Sequence, residues 1–126
     1  MPLFESAKLN FRLPGDTKDQ NITLLKDLLP TSQAQIKVNR DLIVDDNDIN
    51  RLILGKYLKR LGVEYDTACN GYEAVKLALL YEYDIIWMDI KMSVCNGLTA
   101  TYFLTHMCQY KGKIYGTTGY ADGNKL

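Results

Sequence analysis

The chain has 126 residues, 47% of them hydrophobic, and its 15 lysines and arginines balance its 15 aspartates and glutamates. This length and hydrophobic content favour one globular domain over a disordered chain. The net charge of +0 provides no bulk attraction to nucleic acid or to an anionic membrane surface. No apolar stretch approaches the ~18 residues that span a bilayer, and three cysteines without CxxC spacing indicate a reduced, cytoplasmic protein.

The first 37 residues differ in composition from the rest of the chain. They contain all three prolines and a polar patch at residues 15–21. Apolar residues recur there at the spacing of a helix, at Ile22, Leu25 and Leu29. We predict that residues 1–37 form a linker with one short amphipathic helix. The sequence leaves open whether this helix docks on a partner or packs back on the domain.

Residues 38–126 alternate between patterns typical of strands and patterns typical of helices. Predicted strands cover residues 38–44, 63–69, 85–89 and 114–118. Strands that alternate with helices predict right-handed crossovers and a parallel sheet. The first helix repeats apolar residues at helical spacing, which predicts that they form its buried face: Ile49, Leu52, Ile53, Tyr57, Leu58 and Leu61.

Two of the predicted strands end in carboxylates. Asp45 and Asp46 follow the first strand, and Asp89 ends the third. Ligand sites in open α/β sheets lie outside the carboxyl ends of the strands, so we expect these side chains to converge. Two unit charges about 4 Å apart repel by about 4 kcal/mol at an effective dielectric constant of about 20. Such a cluster must take up a proton or bind a cation, and Mg²⁺ fits it best.

A carboxylate beside a metal ion can also act as a nucleophile toward phosphorus. The product is an aspartyl phosphate whose charge the metal helps to neutralise. Thr118, at the end of the fourth predicted strand, could hydrogen-bond the new phosphoryl oxygens. The residues alone therefore indicate phosphoryl transfer onto an aspartate.

Several motifs in order and spacing resemble the receiver domain of two-component response regulators and hybrid histidine kinases. The similar segments are LIVDDN at residues 42–47, NGYEA at 70–74, IIWMDIKM at 85–92 and TTG at 117–119. The resemblance covers residues 38 to about 122. It implies a flavodoxin-like, doubly wound α/β fold with a parallel sheet in the order 2-1-3-4.

The resemblance also implies roles for individual residues. Asp89 would be the phosphoacceptor and would also contact Mg²⁺, Asp46 would bind the metal directly, and Asp45 would act through water or hold the charge of the site. The backbone carbonyl of Lys91 would be a further ligand, and Thr118 would be the switch hydroxyl. The phosphodonor would be a histidine kinase or a histidine phosphotransfer domain. The domain would not be an enzyme apart from autophosphatase activity.

One departure from the family pattern concerns its C-terminal part. The family places a lysine at the end of a fifth strand, whereas Lys125 follows no apolar strand and is not that residue. We therefore expect the fourth helix, fifth strand and fifth helix of the family to be missing. The fourth strand would then be an open edge. Three accounts are open: the chain is a fragment of a longer one, which we favour, a second copy or another chain covers the edge, or the domain is a degenerate receiver.

Two alternatives remain from the sequence. A Mg²⁺-dependent phosphatase or mutase would carry Asp-x-Asp at its nucleophile, but Lys91 stands at that offset from Asp89. The missing lysine also leaves open an interaction module that is never phosphorylated.

Overall fold

A computed structural model describes residues 3–5 (backbone only), 25–28, 35–92, 94–108 and 110–117. Within these ranges, no helix is both long and apolar enough to cross a membrane. The elements are β1 (Leu3–Glu5), β2 (Ile36–Lys37), β3 (Asp41–Val44), α1 (Asp48–Arg60), β4 (Tyr65–Ala68), α2 (Gly71–Leu80), β5 (Tyr81–Glu82), β6 (Ile85–Asp89), α3 (Gly97–Tyr102) and β7 (Lys113–Thr117). Helix α3 continues into a π-helical turn over Phe103–Met107.

The main sheet has five strands in the order β1-β7-β6-β3-β4. Strands β4, β3, β6 and β7 are mutually parallel and correspond to the second, first, third and fourth strands predicted from the sequence. The predicted order 2-1-3-4 is therefore confirmed. Strands β2 and β5 form a separate parallel pair. The register sets Val44 beside both Ala68 and Met88, so β3 and β6 end at the same edge of the sheet.

The outer edge of β7 is not open, which corrects the expectation from the sequence. Strand β1 pairs with it in the antiparallel direction, with Leu3 opposite Thr117 and Glu5 opposite Tyr115. An unpaired edge leaves a row of backbone N–H and C=O groups that any extended segment within reach can satisfy. Here the first residues of the same chain supply that segment.

The main hydrophobic core lies between one face of the sheet and helices α2 and α3. It combines side chains from β3, β6 and β7 with side chains from both helices: Leu42, Val44, Ile86, Met88, Ile114, Ala74, Val75, Ala78, Ala100, Phe103 and Leu104. Leu25 is fully buried in the same cluster, and Leu28 packs against it. The predicted helix of the first segment thus packs on the domain in its described part, whereas Ile22 and Leu29 lie outside the described residues.

Helix α1 packs on the sheet with a different face from the one predicted. Its buried residues are Asn50, Gly55 and Leu58, whereas five of the six apolar residues assigned to the core are exposed. A Cβ at position 55 would lie 2.5 Å from the Tyr65 hydroxyl oxygen, so glycine permits this close approach. The exposed residues, with their exposed fractions, are Ile49 (62%), Leu52 (57%), Ile53 (37%), Tyr57 (59%) and Leu61 (75%).

A buried pair of tyrosines closes the amino-terminal end of the sheet. The Tyr83 N–H donates to the Tyr110 hydroxyl oxygen at 2.7 Å, and that hydroxyl donates to the Tyr83 carbonyl at 3.2 Å. The Tyr83 hydroxyl donates to Asp66 Oδ2 at 2.9 Å, and Asp66 also forms an ion pair with Arg40. Burial raises the pKa of Tyr110 to about 12, so its phenol keeps its proton at neutral pH.

We predict that Tyr110→Phe lowers the free energy of unfolding by about 1–3 kcal/mol, because the buried Tyr83 N–H loses its acceptor. Urea unfolding followed by circular dichroism measures the change. The control is Tyr57→Phe, the same substitution at an exposed position, which should stay within about 0.5 kcal/mol of the wild type. Equal effects of the two substitutions would contradict this account of the tyrosine pair.

Candidate metal centre

Three carboxylates meet at the carboxyl edge of the sheet. Asp45 and Asp46 follow β3, and Asp89 is the last residue of β6. One oxygen from each lies within 4.8 Å of the others. Asp45 is 4% exposed and Asp89 1% exposed, whereas Asp46 faces solvent. The structure therefore brings together the three carboxylates whose convergence the sequence predicted.

The turn between β3 and α1 fixes the direction of Asp45. Asn47 caps α1, accepting from the N–H groups of Ile49 and Asn50 at 2.9 and 3.0 Å. The Asn47 N–H in turn donates to Asp45 Oδ1 at 2.9 Å, and the Asn50 side chain hydrogen-bonds the same carboxylate. Both contacts come from the first turn of the helix and hold the Asp45 carboxylate in place.

The electrostatics of this edge favour uptake of a positive charge. Burial raises the pKa of Asp45, and the negative charge of Asp46 raises it further, against hydrogen bonds from Asn47 and Asn50 that lower it. Two buried carboxylates beside a third are costly unless a proton or a cation joins them. Three carboxylate oxygens with one side open to water match the donors that Mg²⁺ prefers. The residues present thus fit a magnesium ion.

The backbone after Asp89 folds back against the end of β6. The Lys91 N–H donates to Asp89 Oδ1 at 3.1 Å, and the Ile90 N–H donates to the Thr117 carbonyl at 3.1 Å. A Cβ at Gly97 would lie only 2.0 Å from the Asp89 carbonyl oxygen, so only glycine fits at the start of α3. This loop therefore holds the Asp89 carboxylate against the edge of the sheet.

Not every predicted site residue is placed by the structure. Thr118 and Lys125 lie outside the described residues. Thr117, the last described residue of β7, is buried and pairs with Asp89 across the sheet. The Lys91 side chain is exposed, and the use of its carbonyl as a metal ligand stays a prediction.

Arg51 is a contact of this site to which sequence analysis assigned no role. Its Nη1 donates to the carbonyl oxygen of Asp45 at 2.6 Å, and its Nη2 forms an ion pair with Asp48. The sequence contained a hint of this contact, because side chains on a helix point back toward its N-terminus. A long polar side chain in the first turn of α1 can therefore reach back to the acidic turn.

Comparisons with known proteins agree with the geometry. The family model described as "Response regulator receiver domain" matches residues 42–125. Hybrid signal transduction histidine kinase F of Dictyostelium discoideum is 42% identical over 62 residues, which are 49% of this chain and 6% of the relative. Two-component response regulator 24 of Arabidopsis thaliana is 42% identical over 82 residues, which are 64% of this chain and 58% of the relative. The matched part is thus under two thirds of either relative's length.

Solved structures show the same fold. The response regulator TrrA of Thermotoga maritima, solved in complex with Mg²⁺-BeF, superposes with a TM-score of 0.54 and 35% identity over 57% of this chain and 63% of its own. Chemotaxis protein CheY4 of Vibrio cholerae gives a TM-score of 0.52 and 31% identity, covering 61% of this chain and 62% of its own. The predicted flavodoxin-like fold is confirmed. Because the family model spans well over half of the sequence, the chain belongs to the response regulator receiver domain family.

Proposed function

We propose that this receiver domain accepts a phosphoryl group on Asp89 from a phosphohistidine, in a reaction that requires Mg²⁺. The observation that carries the proposal is the cluster of three carboxylates within 4.8 Å, with Asp89 at the tip of a buried strand. In the reaction, a carboxylate oxygen of Asp89 forms a bond to phosphorus while the bond between phosphorus and the donor imidazole breaks. The electron pair of that bond returns to the imidazole nitrogen.

The residues around Asp89 have separate tasks in this proposal. Asp46 binds the metal directly, Asp45 holds the charge of the site, and the Lys91 carbonyl completes the protein ligands. When bound, Mg²⁺ neutralises negative charge on the transferred group. The Lys91 N–H orients the nucleophile through its hydrogen bond to Asp89 Oδ1. The domain itself would hydrolyse the aspartyl phosphate, and this autophosphatase activity would regenerate the free carboxylate of Asp89.

The end of β7 provides a route from the phosphoryl group to the rest of the sheet. Thr118 is the proposed switch hydroxyl, and it directly follows Thr117, which pairs with Asp89 on one side and with Leu3 on the other. The Thr117 carbonyl also accepts from the Ile90 N–H. A shift of Thr118 toward the phosphoryl group would therefore pull on backbone that is bonded to β6 and to β1.

The phosphodonor is proposed to be a histidine kinase or a histidine phosphotransfer domain in the cytoplasm, and it must approach Asp89 from solvent. The exposed apolar residues of α1 (Ile49, Leu52, Ile53 and Tyr57) form what we call the outer stripe. The stripe begins three residues after Asp46 and runs along the helix at helical spacing. Exposed apolar residues in a contiguous stripe are typical of interaction surfaces. We therefore propose that the donor packs on the outer stripe.

We expect the protein, mixed with acetyl phosphate and Mg²⁺, to gain the mass of one phosphate in intact-mass spectrometry. Asp89→Asn should abolish the gain, because an amide oxygen cannot form the aspartyl phosphate. The control is Asp84→Asn, an exposed carboxylate at the opposite end of β6, which should leave the gain intact. The absence of any gain in the wild type would indicate an interaction module that is not phosphorylated.

We expect Leu52→Glu to slow phosphoryl transfer from a phosphorylated histidine phosphotransfer domain by about tenfold, as the loss of an apolar contact at an interface often does. The rate with acetyl phosphate should not change, because that small donor needs no docking surface. Leu80→Glu is the matched control, since Leu80 is 47% exposed on α2, away from the outer stripe. Equal slowing by both substitutions would place the docking surface elsewhere.

A further inference from the structure

Arg51 lies beside the carboxylate cluster and is bonded to the acidic turn between β3 and α1. Its guanidinium donates to the Asp45 carbonyl oxygen at 2.6 Å and pairs with Asp48, and its side chain is only 20% exposed. Hydrogen bonds from the N–H and the thiol of Cys69 lower the pKa of Glu73, and the positive charge of Arg51 lowers it further. Arg51 therefore also lies near the start of α2, across from the acidic turn.

The contact with the Asp45 carbonyl has a geometric consequence for Asp46. That carbonyl belongs to the peptide group that joins Asp45 to Asp46, and a peptide group is planar. A donor that fixes the carbonyl oxygen also fixes the direction of the Asp46 N–H and thereby limits where the Asp46 side chain leaves the backbone. Asn47 and Asn50 hold the Asp45 carboxylate itself. Arg51 is thus bonded to the backbone that sets the relative positions of two proposed metal ligands.

We propose that Arg51 is a positioning residue for the carboxylates of Asp45 and Asp46, which it aligns for Mg²⁺ by holding the peptide between them. The proposal rests on the function proposed above. A planar fork with several donors can hold a carbonyl and a carboxylate at once, and the single ammonium of lysine cannot reproduce both directions. Residues that orient metal ligands typically change metal affinity by 10- to 100-fold when they are substituted.

The charge of Arg51 and its alignment of the metal ligands predict opposite changes in Mg²⁺ affinity when the residue is substituted, so the proposal can be tested. A positive charge near a metal site by itself repels the cation, so its removal alone would strengthen Mg²⁺ binding. Loss of the alignment of Asp45 and Asp46 would instead weaken Mg²⁺ binding, even though the positive charge that repels the cation has gone. Arg51→Gln removes both the charge and the fork, whereas Arg51→Lys keeps the charge and removes only the fork.

The measurement is a titration of the protein with MgCl₂ by isothermal calorimetry, supported by the fluorescence of Trp87, the single tryptophan of the chain. We expect Arg51→Gln and Arg51→Lys each to raise the Kd for Mg²⁺ about tenfold. The matched control is Arg60→Gln, which removes the same charge from the exposed end of α1, about 13 Å farther along the helix axis. It should change the Kd less than twofold.

The outcomes separate this inference from the function on which it rests. No Mg²⁺ binding by the wild type, or binding that survives Asp46→Asn unchanged, would overturn the proposed metal centre itself. Binding by the wild type that both Arg51 variants retain, or that Arg51→Gln strengthens, would overturn only the role of Arg51. Circular dichroism checks that each variant is folded, and Arg51→Lys, the milder change, decides the question if Arg51→Gln does not fold.

Discussion

Repulsion among three carboxylates is the constraint that shapes the carboxyl edge of this domain. Two of them are buried, and at about 4 Å a pair repels by about 4 kcal/mol at an effective dielectric constant of about 20. The first turn of α1 contributes three groups that oppose this repulsion: the Asn47 N–H, the Asn50 side chain and the Arg51 guanidinium. One side of that helix turn is therefore committed to polar contacts with the acidic turn.

The packing of α1 differs from that of an ordinary amphipathic helix. The face turned toward the sheet carries Asn50 and Gly55, and Gly55 lets the helix approach Tyr65 closely. Most of its larger apolar side chains remain on the outside. An apolar surface thus begins directly after the acidic turn. In a phosphoryl acceptor, a docking surface beside the site would be a useful combination.

The convergence of Asp45, Asp46 and Asp89 could be predicted from the sequence, because parallel strands joined by helices bring their carboxyl ends to one edge. The order of the strands came from the resemblance to receiver domains. The buried face of α1 could not be predicted in the same way, because periodicity gives the spacing of apolar residues without showing which side meets the sheet. Strand β1 was missed because three residues are too few to show an alternating pattern. The role of Arg51 depends on a contact with a backbone carbonyl, which no side-chain motif reveals.

The two ends of the sheet are stabilised in different ways. At the amino-terminal end, the Tyr110 hydroxyl satisfies both backbone groups of Tyr83 in a buried hydrogen-bonded pair. At the carboxyl end, one oxygen from each of three carboxylates lies within 4.8 Å of the others. A cation or a phosphoryl group bound at the acidic end would change the charge there, which is how ligand switches act on a fold.

The pairing of β1 with β7 also has a consequence for how the domain folds. Leu3 and Thr117 come from opposite ends of the described chain, so the outer strand pair closes the longest loop of the sheet. Closing a loop of this length carries an entropic cost that local contacts do not, and such non-local pairings slow folding. During synthesis, residues 3–5 leave the ribosome long before β7 and must wait for it before they can pair. Until that pairing forms, β7 offers its unpaired backbone to any neighbouring strand.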